Sequence, residues 1–268
     1  MPHMIRLGCY SFIKTAVMPH YITPPLHHQN IGALPPKNGS GILSSDFIFV
    51  ISAFSSGSTA VTGIMMNLGV VALGPLSRTN DPRTQTSLES IALQRLCDDL
   101  VSEDALQIWE GKRLQIVPKL VGFKREVEAI ISKNSSIQGK PIVFKRPTTA
   151  IFLKEIDLVF KPKFVFVYRD LAEIERSKVR RGWNDCHGRW GAKIINSHMR
   201  SFAASSHEPF TVHFEDVRNN PRSVAEAMAR EFNLNPTEEM LQAASNWISD
   251  HIKHFGIEVN KTGISLAR

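Results

Sequence analysis

From Phe47 to Ser77 the chain carries no charged residue. That gap excludes a Walker A loop, which needs a lysine directly after its second glycine to meet the β/γ-phosphates; here Gly57 is followed by Ser58 and Thr59. The same gap does not make a membrane span. About 20 consecutive apolar residues are needed to cross a bilayer, and a Ser/Gly/Thr cluster at residues 55–59 interrupts this run. Cysteine is scarce. The three present, Cys9, Cys97 and Cys186, are odd in number and too widely spread for a disulfide framework or a metal-ligand pair. They read as reduced thiols of a cytoplasmic protein. Residues 1–45 lack Asp and Glu altogether while holding Pro19, Pro24, Pro25, Pro35 and Pro36 with His20, His27 and His28. Their apolar stretches are too short for a secretory signal, and no partner ligand stands near His27 and His28. This part reads as an irregular basic arm that binds no metal, and residues 46–268 as the folded domain.

What is present is enough for a full core, since 268 residues support one domain with embellishments. A formal charge of +7 leans toward anionic ligands. Four short runs rich in Val, Ile and Phe, at residues 47–52, 141–145, 163–168 and 210–214, have strand character. Each is followed by a helical pattern rather than a hairpin turn. Continuous apolar strands alternating with helices predict an α/β fold, a parallel sheet flanked by helices on both faces. Helices are expected at 59–68, 86–109, 121–133, 148–157, 171–181 and 190–204. The second carries Leu88, Ile91, Ala92, Leu96, Leu100 and Leu106 at helical spacing. Pro221, preceded by Asn219 and Asn220, opens a helix at 221–232, and further helices are expected at 237–246 and 247–255.

The first run ends in Ser52-Ala53-Phe54-Ser55-Ser56-Gly57-Ser58-Thr59 and passes straight into a helix. A buried strand, a tight turn and a helix start make an anion cradle, because the first amides of a helix point outward and its dipole favours negative charge there. The third run ends in Arg169, with Ser177 eight positions later in the following helix. Strand carboxyl ends line the ligand crevice of a parallel sheet. Arginine offers a forked, permanently charged donor for phosphate, and a serine hydroxyl adds a bond to the same group. Together the two elements predict a ligand with two separate phosphates.

These residues carry a resemblance. The chain resembles the sulfotransferases that use 3′-phosphoadenosine 5′-phosphosulfate (PAPS). That family has a 5′-phosphosulfate loop, P-[RK]-S-G-[ST]-[ST], matched by Phe54-Ser55-Ser56-Gly57-Ser58-Thr59. Its 3′-phosphate motif is an Arg ending a strand with a Ser eight residues on, as in Arg169 and Ser177. A strand ending in Lys-x-P corresponds to Lys145-Arg146-Pro147, and an aromatic-E-D turn with a later Pro corresponds to Phe214-Glu215-Asp216 and Pro221. The elements span residues 46–234 in the family's order.

The resemblance implies a P-loop NTPase-like three-layer sandwich and sulfuryl transfer from PAPS, without a metal, to a hydroxyl or amine of a small-molecule or glycan acceptor. It assigns Ser55, Ser56, Gly57, Ser58, Thr59 and Ala60 to the 5′-phosphate, Arg169 and Ser177 to the 3′-phosphate and Phe214 to the adenosine. Lys145 neutralises the leaving oxygen. The candidate bases are Glu89, His187 and His198, with the loop 182–188 as an acceptor-side lid. One departure is plain: the family's loop cation is Ser55 here. Three explanations stand: Lys145 or Arg146 compensates, an arginine from the basic region Arg176–Arg200 reaches in, or the protein binds nucleotide without turnover. A small-molecule kinase is disfavoured by the missing Walker lysine. The basic cluster of Arg176, Lys178, Arg180, Arg181, Arg189, Lys193 and Arg200 suits an anionic acceptor, and no helix-turn-helix, zinc or RNA-binding signature accompanies it, so nucleic acid is not an expected partner.

Overall fold

The computed structural model describes residues 47–79, 86–205 and 208–253. The arm expected at 1–45 lies outside the described residues, as do the last positions of the expected helix 247–255. The elements in order are β1 (Phe47–Ser52), α1 (Ser58–Asn67), β2 (Val71–Ala72), β3 (Leu76–Arg78), β4 (Thr86–Ser90), α2 (Ile91–Leu100), β5 (Val101–Ser102) and β6 (Gln107–Ile108). Then come α3 (Ile116–Ser132), β7 (Ile142–Lys145), α4 (Leu153–Phe160), β8 (Lys163–Tyr168), α5 (Leu171–Arg181), α6 (Arg189–Ala203), β9 (Phe210–His213), α7 (Phe214–Asn219), α8 (Pro221–Glu231) and α9 (Glu238–Lys253).

One sheet has the order β2-β7-β1-β8-β9, and every neighbouring pair in it is parallel. Its three inner strands, β7, β1 and β8, are buried on both faces, as uninterrupted apolar runs require, whereas Thr211 and His213 of the edge strand β9 are exposed. The alternation of side chains sorts the two faces by shape. Phe47, Phe49, Ile51, Phe144, Phe164 and Phe166 point into one cluster with α2, α3, α4 and α6. Ile48, Val50, Val143, Val165, Val167 and Val212 point into the other with α1, α8 and α9. The aromatic face locks by tilted and edge contacts, with Phe49 at 5.2 Å from Phe160 and 5.3 Å from Phe144 between ring centroids. The result is a three-layer α/β sandwich.

β1 is central, so the loop after it opens in the middle of the carboxyl edge. The register then fixes what flanks it. Lys145, at the end of β7, is level with Val50, and Val167 of β8 is level with Ser52, which puts Arg169 just beyond the other side of the loop.

The expected helix at 86–109 is only partly a helix. Residues 86–90 are β4, paired antiparallel with β3, and Ile91–Leu100 is helical, followed by the small hairpin of β5 and β6. Leu88 and Leu106 fit the helical spacing, yet they sit at φ of 57° and 49°, in the left-handed region that a right-handed helix does not use. The helices expected at 237–246 and 247–255 are one helix, α9. The first turns after Pro147 are a 3-10 segment, Pro147–Phe152, before α4 begins.

Candidate active site

The loop after β1 is shaped by two left-handed residues, Ser55 at φ 59° and Gly57 at φ 89°. Ser56 donates its amide to the Ala53 carbonyl at 3.3 Å, which closes the turn. Gly57 caps α1, and no side chain caps that helix start. The opening amides of α1, from Ser58 to Ala60, have no carbonyl within the helix to bond. Only glycine fits at 57, because a Cβ there would lie 2.0 Å from the Phe214 ring. Phe214, at the start of α7, thus packs against the loop, and its ring also carries the Arg169 guanidinium at 4.6 Å from the centroid.

Arg169 donates to the Ser55 carbonyl at 2.9 Å and to Glu173 at 2.9 Å. The helix that follows is firmly begun: the Asp170 carboxylate accepts from the amides of Ala172 and Glu173. Ser177 lies in its second turn, half-buried. At its far end Arg181 donates to the Ser55 hydroxyl at 3.3 Å and stacks over Trp183 at 4.4 Å.

On the other side of the loop stands a buried ionic chain. Lys145 donates to the Thr59 hydroxyl at 3.0 Å, to the Ser87 carbonyl at 2.8 Å and to Glu89 at 3.0 Å. The other oxygen of Glu89 accepts from Arg146 at 2.8 Å, and Arg146 continues to Asp98 at 2.9 Å and to Glu103. Glu103 presents its remaining oxygen 3.0 Å from Nε2 of His187. The His187 ring packs edge-on against Phe54 of the loop, 4.3 Å between centroids. Lys145, Glu89 and His187 therefore belong to one connected set that starts at α1 and returns to the loop. Glu89 reaches it from a strand: the reading of a helix there is corrected, since β4 leads the carboxylate inward to 6% exposure.

Charge balance sets the protonation. Burial pushes the Glu89 carboxyl up, but Lys145 and Arg146 outweigh it and hold the group below the usual carboxylate range. Glu103 is likewise raised by burial and lowered further by the His187 hydrogen bond and Arg146, with a net shift downward. Burial followed by the charges of Glu103 and Asp104 pushes the Cys186 thiol up to about 11. An ionised Glu103 only accepts, so Nε2 of His187 carries the hydrogen facing it, and Nδ1 faces the protonated Cys186 thiol at 3.2 Å. Both oxygens of Glu89 and both nitrogens of His187 are thus engaged. His198, on α6, is half-buried, and its burial lowers its pKa.

Arg146 does not stand in for a loop cation. Its contacts run to carboxylates of β4, α2 and the turn after β5, not to residues 53–59. Besides Arg169, the loop is reached by Arg181, a member of the basic cluster. Glu103 and Asp98 carry no signal in the sequence, because their approach to Arg146 depends on the β5–β6 hairpin. Among the described residues there is no group of three or more His, Cys, Asp or Glu able to hold a metal. A cavity of about 360 Å³, lined by Leu68, Gly139, Pro141, Lys163 and Phe232 among others, lies at the opposite end of the strands.

Similarity to solved structures follows this architecture. Sulfotransferase STF9 from Mycobacterium avium superposes with a TM-score of 0.51 at 13% identity, over 78% of this chain and 69% of that one. The chain has a sulfotransferase fold. Sulfotransferase STF1 from Mycobacterium tuberculosis H37Rv aligns over 75% of this chain and 71% of its own at 14% identity and a TM-score of 0.48. Retinol dehydratase in complex with androsterone and inactive cofactor PAP aligns over 80% and 68% at 12% identity and a TM-score of 0.43. No family model matches the chain, and no curated protein does. Within the sulfotransferase fold, the loop at 53–59 follows the central strand. No helix among the described residues is long and apolar enough to cross a membrane.

Proposed function

We propose that the chain binds PAPS across the loop after β1 and transfers its sulfuryl group to a hydroxyl or amine of a small-molecule or glycan acceptor. The observation that carries this reading is the convergence on one loop of three donors of different origin. They are the amides opening α1, Lys145 from β7 and Arg169 beyond β8, the last bonded to the Ser55 carbonyl at 2.9 Å.

In this reading the amides of Ser58, Thr59 and Ala60, with the Ser56 and Ser58 hydroxyls, hold the 5′-phosphate. Arg169 and Ser177 hold the 3′-phosphate. Phe214 supports the adenosine side while stacking on Arg169. The acceptor oxygen or nitrogen forms a bond to sulfur as the bond from sulfur to the bridging phosphate oxygen breaks. The electron pair stays with the phosphate oxygen, leaving 3′,5′-adenosine diphosphate, and the acceptor proton passes to solvent or a base. Lys145 is set to neutralise the charge that develops on that oxygen, and preorganised charge of this kind is among the largest contributions to catalysis. Glu89 serves as counter-ion: with both oxygens on cations and its pKa lowered, it holds Lys145 against Thr59 rather than abstracting a proton.

A second reading, a nucleotide-binding protein without turnover, is favoured by the full engagement of Glu89 and His187. The two separate on one assay. Labelled sulfate from PAPS is offered with a broad panel of phenols, alcohols, amines and glycans. Transfer to any member that is lost in Lys145→Met supports the enzyme. Tight nucleotide binding with no transfer across the panel supports the binding protein.

A further inference from the structure

Two arginines from opposite ends of one helix meet the same loop residue. Arg169, just before α5, holds the Ser55 carbonyl, and Arg181, in the last turn of α5, holds the Ser55 hydroxyl at 3.3 Å. An 11-residue helix is about 16 Å long, so this convergence requires both side chains to extend along the helix toward the loop. We infer that Arg181 is the cation of the 5′ end of the nucleotide site, standing in for a charge that the loop lacks and discriminating for the 5′-phosphate and the group attached to it.

The inference rests on the nucleotide reading and adds a residue and a task to it. Four features of the molecule support it. No residue from 47 to 77 is charged, so any dianion seated on the α1 amides must find its counter-charge elsewhere. Lys145 supplies one from the β7 side, where it already reaches Thr59 at the start of α1. Arg181 comes from the opposite side and is steadied by the face of Trp183, which fixes the plane of the guanidinium fork. Its bond to the loop is to a neutral hydroxyl at 3.3 Å, and a phosphate or sulfuryl oxygen is the stronger acceptor for the same donor. Arg169 and Arg181 thereby divide the two anionic ends of one ligand between them.

The test needs no acceptor. Calorimetry would measure 3′,5′-adenosine diphosphate, adenosine 3′-monophosphate and adenosine 5′-monophosphate on the full chain and on Arg181→Met, which keeps an apolar stem against Trp183. The discrimination between 3′,5′-adenosine diphosphate and the 3′-monophosphate is expected to fall about tenfold or more, as for a lost charge-assisted bond. The discrimination against the 5′-monophosphate is expected to stay within about twofold. Ser55→Lys combined with Arg181→Met, which returns the charge to the loop, is expected to recover most of the lost ratio. Equal losses for all three nucleotides, or an unchanged ratio, overturn the assignment of Arg181 and leave the nucleotide reading standing. If the unaltered protein prefers no 3′-phosphorylated nucleotide, the nucleotide reading falls and this assignment with it.

Discussion

Glu89→Gln removes the charge at the centre of the buried ionic chain while keeping its size. Glu89 is 6% exposed and lies 3.0 Å from Lys145 and 2.8 Å from Arg146. Removing one partner of a buried pair costs about 3–5 kcal/mol, because the remaining charge is stranded out of water. The geometry places the cost near the lower bound. Arg146 keeps Asp98 and Glu103, whereas Lys145 is left with the Thr59 hydroxyl and the Ser87 carbonyl, neither of them charged. A loss of about 3 kcal/mol is therefore expected, which moves a urea midpoint by about 1 M or more. Glu89→Gln with Lys145→Met, which strands no lysine, is expected to be more stable than Glu89→Gln alone. The pH dependence has a definite sign. The folded pKa of Glu89 lies below its unfolded value, so its stabilisation is present above the ordinary carboxylate range and is lost as pH falls through the folded value. The gap between wild type and Glu89→Gln should narrow on acidification. Urea unfolding from neutral to acid pH measures all of this. A loss under about 1 kcal/mol, the range of solvent-exposed pairs, or a gap that widens in acid, refutes the reasoning.

Gly57→Ala adds a Cβ 2.0 Å from the Phe214 ring at a left-handed φ. Strain of about 1–3 kcal/mol and displacement of Phe214 from Arg169 should weaken 3′,5′-adenosine diphosphate binding at least about tenfold by calorimetry. Asp170→Ala removes the carboxylate that accepts from the Ala172 and Glu173 amides. It should cost about 1 kcal/mol in urea unfolding and weaken nucleotide binding through α5, which carries Ser177 and Arg181. Burial, against the nearby Arg146 charge, pushes the Cys97 thiol up to about 12, and burial with Glu103 and Asp104 pushes Cys186 up to about 11. In a Cys9→Ser background neither should react with a thiol reagent at neutral pH until the protein is unfolded, and fast labelling of the native protein would contradict their burial.

The sheet was legible where burial leaves a continuous apolar run. β1, β8 and α5 fall at the residues the pattern predicts, since Phe47–Ser52 and Lys163–Tyr168 are apolar on both faces and α5 starts at the capping Asp170. β2 was not legible, because two residues make no pattern and its place at the sheet edge comes from pairing with β7. The stretch 86–109 misled for a different reason. Spacing counts apolar positions, but Leu88 and Leu106 meet that spacing while their left-handed backbones lie outside any helix, in β4 and in the turn after β5. That the loop, Lys145 and Arg169 meet at one edge of the sheet was legible, because each ends or directly follows a buried strand. The partners of Arg146 were not, since Glu103 approaches it through a hairpin whose strands are two residues each.

The central claim is a site for two separate phosphates, one of them selected by Arg169. The most direct measurement is calorimetric binding of 3′,5′-adenosine diphosphate and of ATP to the unaltered chain and to Arg169→Ala. The account predicts that the chain prefers the 3′-phosphorylated nucleotide by about tenfold or more, a charge-assisted bond being worth about 1.5–3 kcal/mol, and that Arg169→Ala abolishes most of that preference. Equal affinities for the two nucleotides, or a preference that survives Arg169→Ala intact, would contradict it.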